Sequence, residues 1–192
     1  MLFKSLLIFV VLGVCCLTQT KAVRYTVIWR ENWDARWAKK TQNLDENPPP
    51  FVVIHHSETP ECNSTFACKK RVKNIQEYHM DTKGWDDIGY NFLIGGDGCV
   101  YEGRSWRIRG AHLPKYNGRS IGICMIGSFQ NVTPPNLQMD ALKNFIQAGV
   151  EHNLISLNYE LIGHRQGKAT DCPGDALFNL IKEMPRWSSN PK

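Results

Sequence analysis

Apolar positions along the 192-residue chain fall into short blocks separated by polar and glycine-rich breaks. Phe51-Val52-Val53-Ile54-His55 is continuous and β-branched, the pattern of a buried strand, and Ser120 to Ile126 reads the same way. Tyr90 to Ile94 is a third strand, and Gly95-Gly96-Asp97-Gly98 is a hairpin signal leading into Cys99-Val100-Tyr101-Glu102. Val23 to Arg30 and Tyr159 to Gly163 are shorter β-prone segments. Helical spacing takes over in residues 68–82, with Val72, Ile75 and His79 on one stripe. Thr133-Pro134-Pro135 opens a second helix, with Leu137, Ala141, Leu142, Phe145, Ile146 and Val150 at helical spacing. Gly174 to Met184 is a third, with Leu177, Leu180, Ile181 and Met184 inward. From Trp33 to Pro48-Pro49-Pro50 neither period holds, and the prolines exclude regular helix there. Alternating strands and helices predict a single α/β domain, a sheet flanked by helices.

The N-terminus changes the cellular picture. Lys4, the apolar run Leu6 to Leu17 and Thr20-Lys21-Ala22 predict a signal peptide over residues 1–22, leaving residues 23–192 as the mature domain. That run is short of the ~20 residues needed to span a bilayer. A secreted, soluble, monomeric protein with no membrane span is expected. The formal net charge is +5, but Lys4 and Lys21 belong to the leader and no polybasic block remains. Nucleic acid is therefore not an indicated partner. Asn63-Ser64-Thr65 and Asn131-Val132-Thr133 are glycosylation acceptor patterns.

Beyond the leader five cysteines remain: Cys62, Cys68, Cys99, Cys124 and Cys172. An odd number leaves at least one thiol outside any intramolecular disulfide. Cys62 and Cys68 share a polar loop and are expected to pair in an oxidising compartment. Cys99 and Cys124 sit in strand-like segments, where buried free thiols are favoured and a bridge between them stays open. Cys172 has no obvious partner.

That unpaired thiol lies eight positions after His164, which ends a predicted strand as His55-His56 ends another. Consecutive strand side chains point to opposite faces, so only one of His55 and His56 can readily face a given site. His55, His164 and Cys172 form a borderline-soft donor set that suits Zn²⁺, and a catalytic zinc keeps three protein ligands with one position open to water.

Several stretches carry a resemblance. They are Val53-Ile54-His55-His56-Ser57, Gly84-Trp85-Asp86-Asp87-Ile88-Gly89-Tyr90-Asn91-Phe92, Tyr101-Glu102-Gly103-Arg104, Gly110-Ala111-His112, Tyr116-Asn117, Gly163-His164-Arg165-Gln166 and Asp171-Cys172-Pro173-Gly174. Together they resemble the peptidoglycan recognition proteins, a family similar to bacteriophage-type zinc amidases, from about residue 27 to Trp187. The resemblance implies a central mixed sheet flanked by helices, with a groove for the peptide stem and muramic acid of bacterial peptidoglycan or its muropeptides. It implies that His55, His164 and Cys172 bind zinc, with Tyr90 and Thr170 near the reacting atoms. It places His56, His79, Gly84, Trp85, Arg104, His112 and Asn117 at substrate-contacting positions. Gly84, Trp85 and Arg104 match members that prefer diaminopimelate stems, whose additional carboxylate suits a planar guanidinium.

The resulting expectation is a secreted zinc-dependent N-acetylmuramoyl-L-alanine amidase of innate immunity. The alternative is a non-catalytic receptor that binds peptidoglycan and triggers signalling; purely recognising members usually lack the cysteine that stands here as Cys172. A generic zinc peptidase fits less well, because no His-Glu-x-x-His segment occurs.

Overall fold

The computed structural model describes residues 25–191, so the predicted leader lies outside the described residues. Its strands are β1 (Thr26–Ile28), β2 (Phe51–His56), β3 (Phe92–Ile94), β4 (Cys99–Glu102), β5 (Ser120–Met125) and β6 (Glu160–Gly163). They form one sheet in the order β1-β4-β3-β5-β2-β6. All neighbours are parallel except β3 and β4, the hairpin joined through Gly95–Gly98. The sheet is therefore mixed, as expected.

Every residue of β2 and β5 is buried, which is why both read as unbroken apolar runs. Strand alternation divides β2 between two faces. Val52 and Ile54 pack with Leu142, Phe145 and Leu177 from α2 (Asn136–Glu151) and α3 (Asp175–Lys182). Phe51 and Val53 pack on the other side with Leu113 and Ile162. Towards β3 and β4, helix α1 (Thr65–Glu77) covers Leu93, Tyr101 and Cys124 with Cys68, Val72 and Ile75.

Three details differ from the sequence expectations. Helix α1 begins at Thr65 rather than 68, because the Ser64 hydroxyl accepts the Ala67 amide and caps it. Its end widens into a π turn over Tyr78–Thr82, in which His79 is buried as Val72 and Ile75 are. In α2, Leu137 is 54% exposed and Gln138 is buried instead. The Gln138 amide donates to the carbonyls of Ile94, the last residue of β3, and Ile126, just past β5. Satisfying two buried carbonyls outweighs burying one more leucine. Cys62 and Cys68 form the expected disulfide, with an S–S distance of 2.07 Å. Cys99 and Cys124 are free, on β4 and β5 with β3 between them. Among the described residues no helix is long and apolar enough to cross a membrane.

Two polar networks hold the loops that precede β3 and follow β4. Arg30 grips the buried Asp87 carboxylate with both terminal nitrogens, at 2.9 and 3.1 Å, and Gln76 donates to the same carboxylate at 2.7 Å. This ties the N-terminal arm and α1 to the loop before β3. Asn91, fully buried, donates to the carbonyls of Ser105 and Ile108 and accepts the Gly122 amide, pinning the loop after β4 to the sheet.

Candidate metal centre and groove

Strand register brings the first two donors together. β2 and β6 pair in parallel with Ile54 beside Gly163, so His55 and His164 are the next residues along neighbouring strands. The third donor arrives on the loop after His164, which folds back so that the Arg165 amide donates to the Cys172 carbonyl at 3.0 Å. One nitrogen of each imidazole and the Cys172 sulfur lie within 4.8 Å of one another. His55 Nδ1 is 3.8 Å from Cys172 Sγ, and the His56 amide donates to that sulfur at 3.4 Å.

The chemistry of this set fits a metal ion. Burial depresses His55 well below its ordinary range and brings His164 down to about 4, so both imidazoles are neutral and carry a free lone pair at neutral pH. His164 Nε2 is buried and has no hydrogen-bond partner among the described residues. Burial raises the Cys172 thiol to about 12, against a smaller lowering by the His56 amide. The metal-free site is therefore neutral, and a zinc ion binding there would displace the thiol proton. His55, His164 and Cys172 are the residues that would hold it.

The two histidine donors, His55 and His164, open onto a cavity of about 380 Å³ lined also by Trp85, Tyr90, His112, Asn117 and Lys168. Tyr90 and Trp85 each also line a neighbouring depression. Tyr90 packs 5.2 Å from His55, ring to ring. Burial, with Cys124 and Cys172 close by, raises its phenol well above the ordinary value and keeps the hydroxyl protonated.

The other predicted site residues divide. His79 lies against Trp85 and Tyr90, with ring centroids 4.7 and 5.6 Å away, and its Nδ1 accepts the Gly89 amide. Burial holds His79 at about 4, with Arg104 and Lys83 lowering it further. Gly84, at φ +71°, takes a left-handed turn beside Trp85 and lines the same depression as Arg104. Arg104 spends Nε on the Ile88 carbonyl and Nη1 on the Arg109 carbonyl, leaving Nη2 uncommitted. The Asn117 side-chain oxygen accepts the amides of His112 and Leu113, leaving its NH₂ for the cavity. His112 contacts His55 directly, Nδ1 to Nε2 at 3.0 Å.

Two residues stand apart from the cavity lining. His56 points to the opposite side of β2 from His55, where its Nδ1 accepts the Phe129 amide and its Nε2 lies 3.6 Å from Glu58. The Thr170 hydroxyl accepts the Cys172 amide at 3.3 Å, steadying the ligand loop. Lys168, Ala111 and Pro114 line the cavity without having been singled out in the sequence. Lys168 had one signal, its place in the loop between His164 and Cys172.

Comparison with known proteins agrees with this geometry. The N-acetylmuramoyl-L-alanine amidase family matches residues 45–175. Peptidoglycan-recognition protein LB of Drosophila melanogaster is 44% identical over 160 residues, covering 83% of this chain and 68% of the relative. A solved structure of a Drosophila PGRP-LB mutant in complex with tracheal cytotoxin superposes with a TM-score of 0.83 at 42% identity, over 84% of this chain and 96% of that one. Peptidoglycan recognition protein LE in complex with the same compound, described as monomeric diaminopimelic acid-type peptidoglycan, gives a TM-score of 0.83 at 35% identity, over 85% of this chain and 96% of that one. With its ligand-competent His-His-Cys cluster at the rim of a mixed sheet, the chain belongs to the peptidoglycan-recognition proteins of the N-acetylmuramoyl-L-alanine amidase family.

Proposed function

We propose that this protein is a secreted, zinc-dependent N-acetylmuramoyl-L-alanine amidase acting on bacterial peptidoglycan or its muropeptides. The observation that carries the proposal is the convergence of His55, His164 and Cys172, with their donor atoms within 4.8 Å of one another, beside the cavity that His55 and His164 line. The reaction adds water across the amide between the lactyl group of muramic acid and L-alanine, releasing a carboxylate and a free amine. Zinc held by the three donors would acidify a water molecule and polarise the amide carbonyl.

The chain's own groups supply the rest. Tyr90 keeps its proton and donates a hydrogen bond where negative charge develops on the carbonyl oxygen. Thr170 accepts the Cys172 amide, so its own hydroxyl hydrogen stays available at the edge of the site. Trp85, His79 and Asn117 form the walls that orient the stem. The uncommitted Nη2 of Arg104 presents a fixed positive charge, which favours the additional carboxylate of diaminopimelate over lysine at the third stem position.

The test is hydrolysis of diaminopimelate-type peptidoglycan before and after a chelator. Release of stem peptide that stops on chelation and returns with added zinc supports the proposal. Binding without release under all three conditions leaves the receptor reading in its place.

A further inference from the structure

We infer that Ser120, acting through His112, fixes the tautomer of His55 and so turns the bare Nδ1 of His55 towards the metal position. The inference rests on reading His55, His164 and Cys172 as a metal site. It makes Ser120 a positioning residue for that site, although Ser120 does not itself line the cavity and reaches His55 only through His112.

Hydrogen counting along one chain of contacts carries the argument. The Ser120 hydroxyl lies 2.7 Å from the Tyr116 carbonyl, which can only accept, so the single hydroxyl hydrogen is committed there. Ser120 Oγ also lies 3.4 Å from His112 Nε2. With its hydrogen already given, the oxygen accepts, and the hydrogen of this contact sits on His112 Nε2. A neutral imidazole carries one ring hydrogen, so His112 Nδ1 is bare. That nitrogen is 3.0 Å from His55 Nε2, and the bond between them needs the hydrogen to come from His55. The remaining nitrogen of His55, Nδ1, is left with its lone pair exposed, 3.8 Å from Cys172 Sγ.

Packing keeps the relay in this orientation. Ser120 is fully buried and His112 is 8% exposed. The His112 ring is gripped between two glycines: a Cβ at Gly110 or at Gly122 would fall 2.3 Å from its Cδ2. Ser120 opens β5 at a position where an apolar residue would satisfy the strand pattern, yet its hydroxyl has partners on both sides. Metal-binding histidines are commonly oriented by an acceptor on the second ring nitrogen; here that acceptor is another imidazole, whose own tautomer a serine sets.

Nitrogen–proton correlation NMR on the metal-free, ¹⁵N-labelled protein at neutral pH reads the tautomers without any zinc. The expected result is a protonated Nε2 and a bare Nδ1 on both His55 and His112. In Ser120→Ala both rings should show mixed tautomers, and the zinc dissociation constant should rise about tenfold, the low end for loss of such a partner. Ser120→Thr should restore the single tautomer. A wild type with His55 protonated at Nδ1 overturns the inference, as does a folded Ser120→Ala with unchanged tautomers and zinc affinity. Should Ser120→Ala not fold, the wild-type tautomers decide. A wild type with the expected tautomers but no zinc affinity sinks the amidase reading and leaves the relay standing.

Discussion

His55 and His164 stand with ring centroids 4.4 Å apart because β2 and β6 are paired in parallel with Ile54 opposite Gly163. Two of the three candidate donors are thus placed by backbone register, and only the third depends on a loop. Such a site is largely formed before any metal arrives, which lowers the ordering cost of binding.

Tyr90 is half-buried beside His55 with a protonated hydroxyl. Tyr90→Phe removes that donor and little volume. Its amide hydrolysis should fall about 10²-fold, in line with loss of one oxyanion donor. Zinc content, measured by atomic emission, should not change. An unaltered kcat would remove Tyr90 from the mechanism.

Arg104 is anchored by two backbone carbonyls with one terminal nitrogen left over. Arg104→Glu should cut the preference for diaminopimelate over lysine stems by about tenfold or more, as expected for loss of a charged hydrogen bond. Titration calorimetry with both muropeptide types checks this. Arg104→Lys should recover only part of the preference, since an ammonium cannot hold both carbonyls and still reach the ligand. Equal preference in wild type and Arg104→Glu would detach stem selection from this residue.

Burial lowers His79 and His164 to about 4 and His112 to about 3 in the folded, metal-free protein. In the unfolded chain the same groups titrate near ~6.5. Between these values the unfolded state binds more protons, so stability is greatest above ~6.5 and falls as the pH drops towards 4. Each histidine contributes a slope of at most about 1.4 kcal/mol per pH unit. Urea melts with chelator present, taken from pH 7.5 to 5, should show this decline. A flat profile over that range would contradict the neutral, buried histidine cluster.

Gln138 donates to the carbonyls of Ile94, the last residue of β3, and Ile126, just past β5. Gln138→Leu restores the apolar pattern of α2 but takes its side-chain donor from the buried Ile126 carbonyl, while the Ile94 carbonyl keeps the Ile126 amide, at a cost of about 1–3 kcal/mol. The melting temperature should drop by about 2–4 °C for each kcal/mol in a domain of this size. A variant as stable as the wild type would make those bonds dispensable.

Much of this was legible in the sequence because its strongest signals are local. The fully buried β2 and β5 appear as unbroken apolar runs, and Gly95-Gly96-Asp97-Gly98 marks the hairpin. The two histidine donors were visible at strand ends and Cys172 as an unpaired thiol on the adjoining loop. What stayed hidden depends on contacts between distant segments. Gln138 breaks the helical apolar pattern for the sake of carbonyls 44 and 12 residues away. The π turn at Tyr78–Thr82 has the composition of ordinary helix. Ser120 looks like any polar residue at the start of a strand until its distances to Tyr116 and His112 are known.

Cys172 is where recognition and catalysis separate. The most direct measurement is zinc per chain together with free stem peptide released from diaminopimelate-type peptidoglycan, for the wild type and Cys172→Ser. The amidase account predicts close to one zinc per wild-type chain and steady release of peptide, both lost in Cys172→Ser while muropeptide binding persists. A wild type that holds no zinc and releases no peptide, yet still binds, would contradict it.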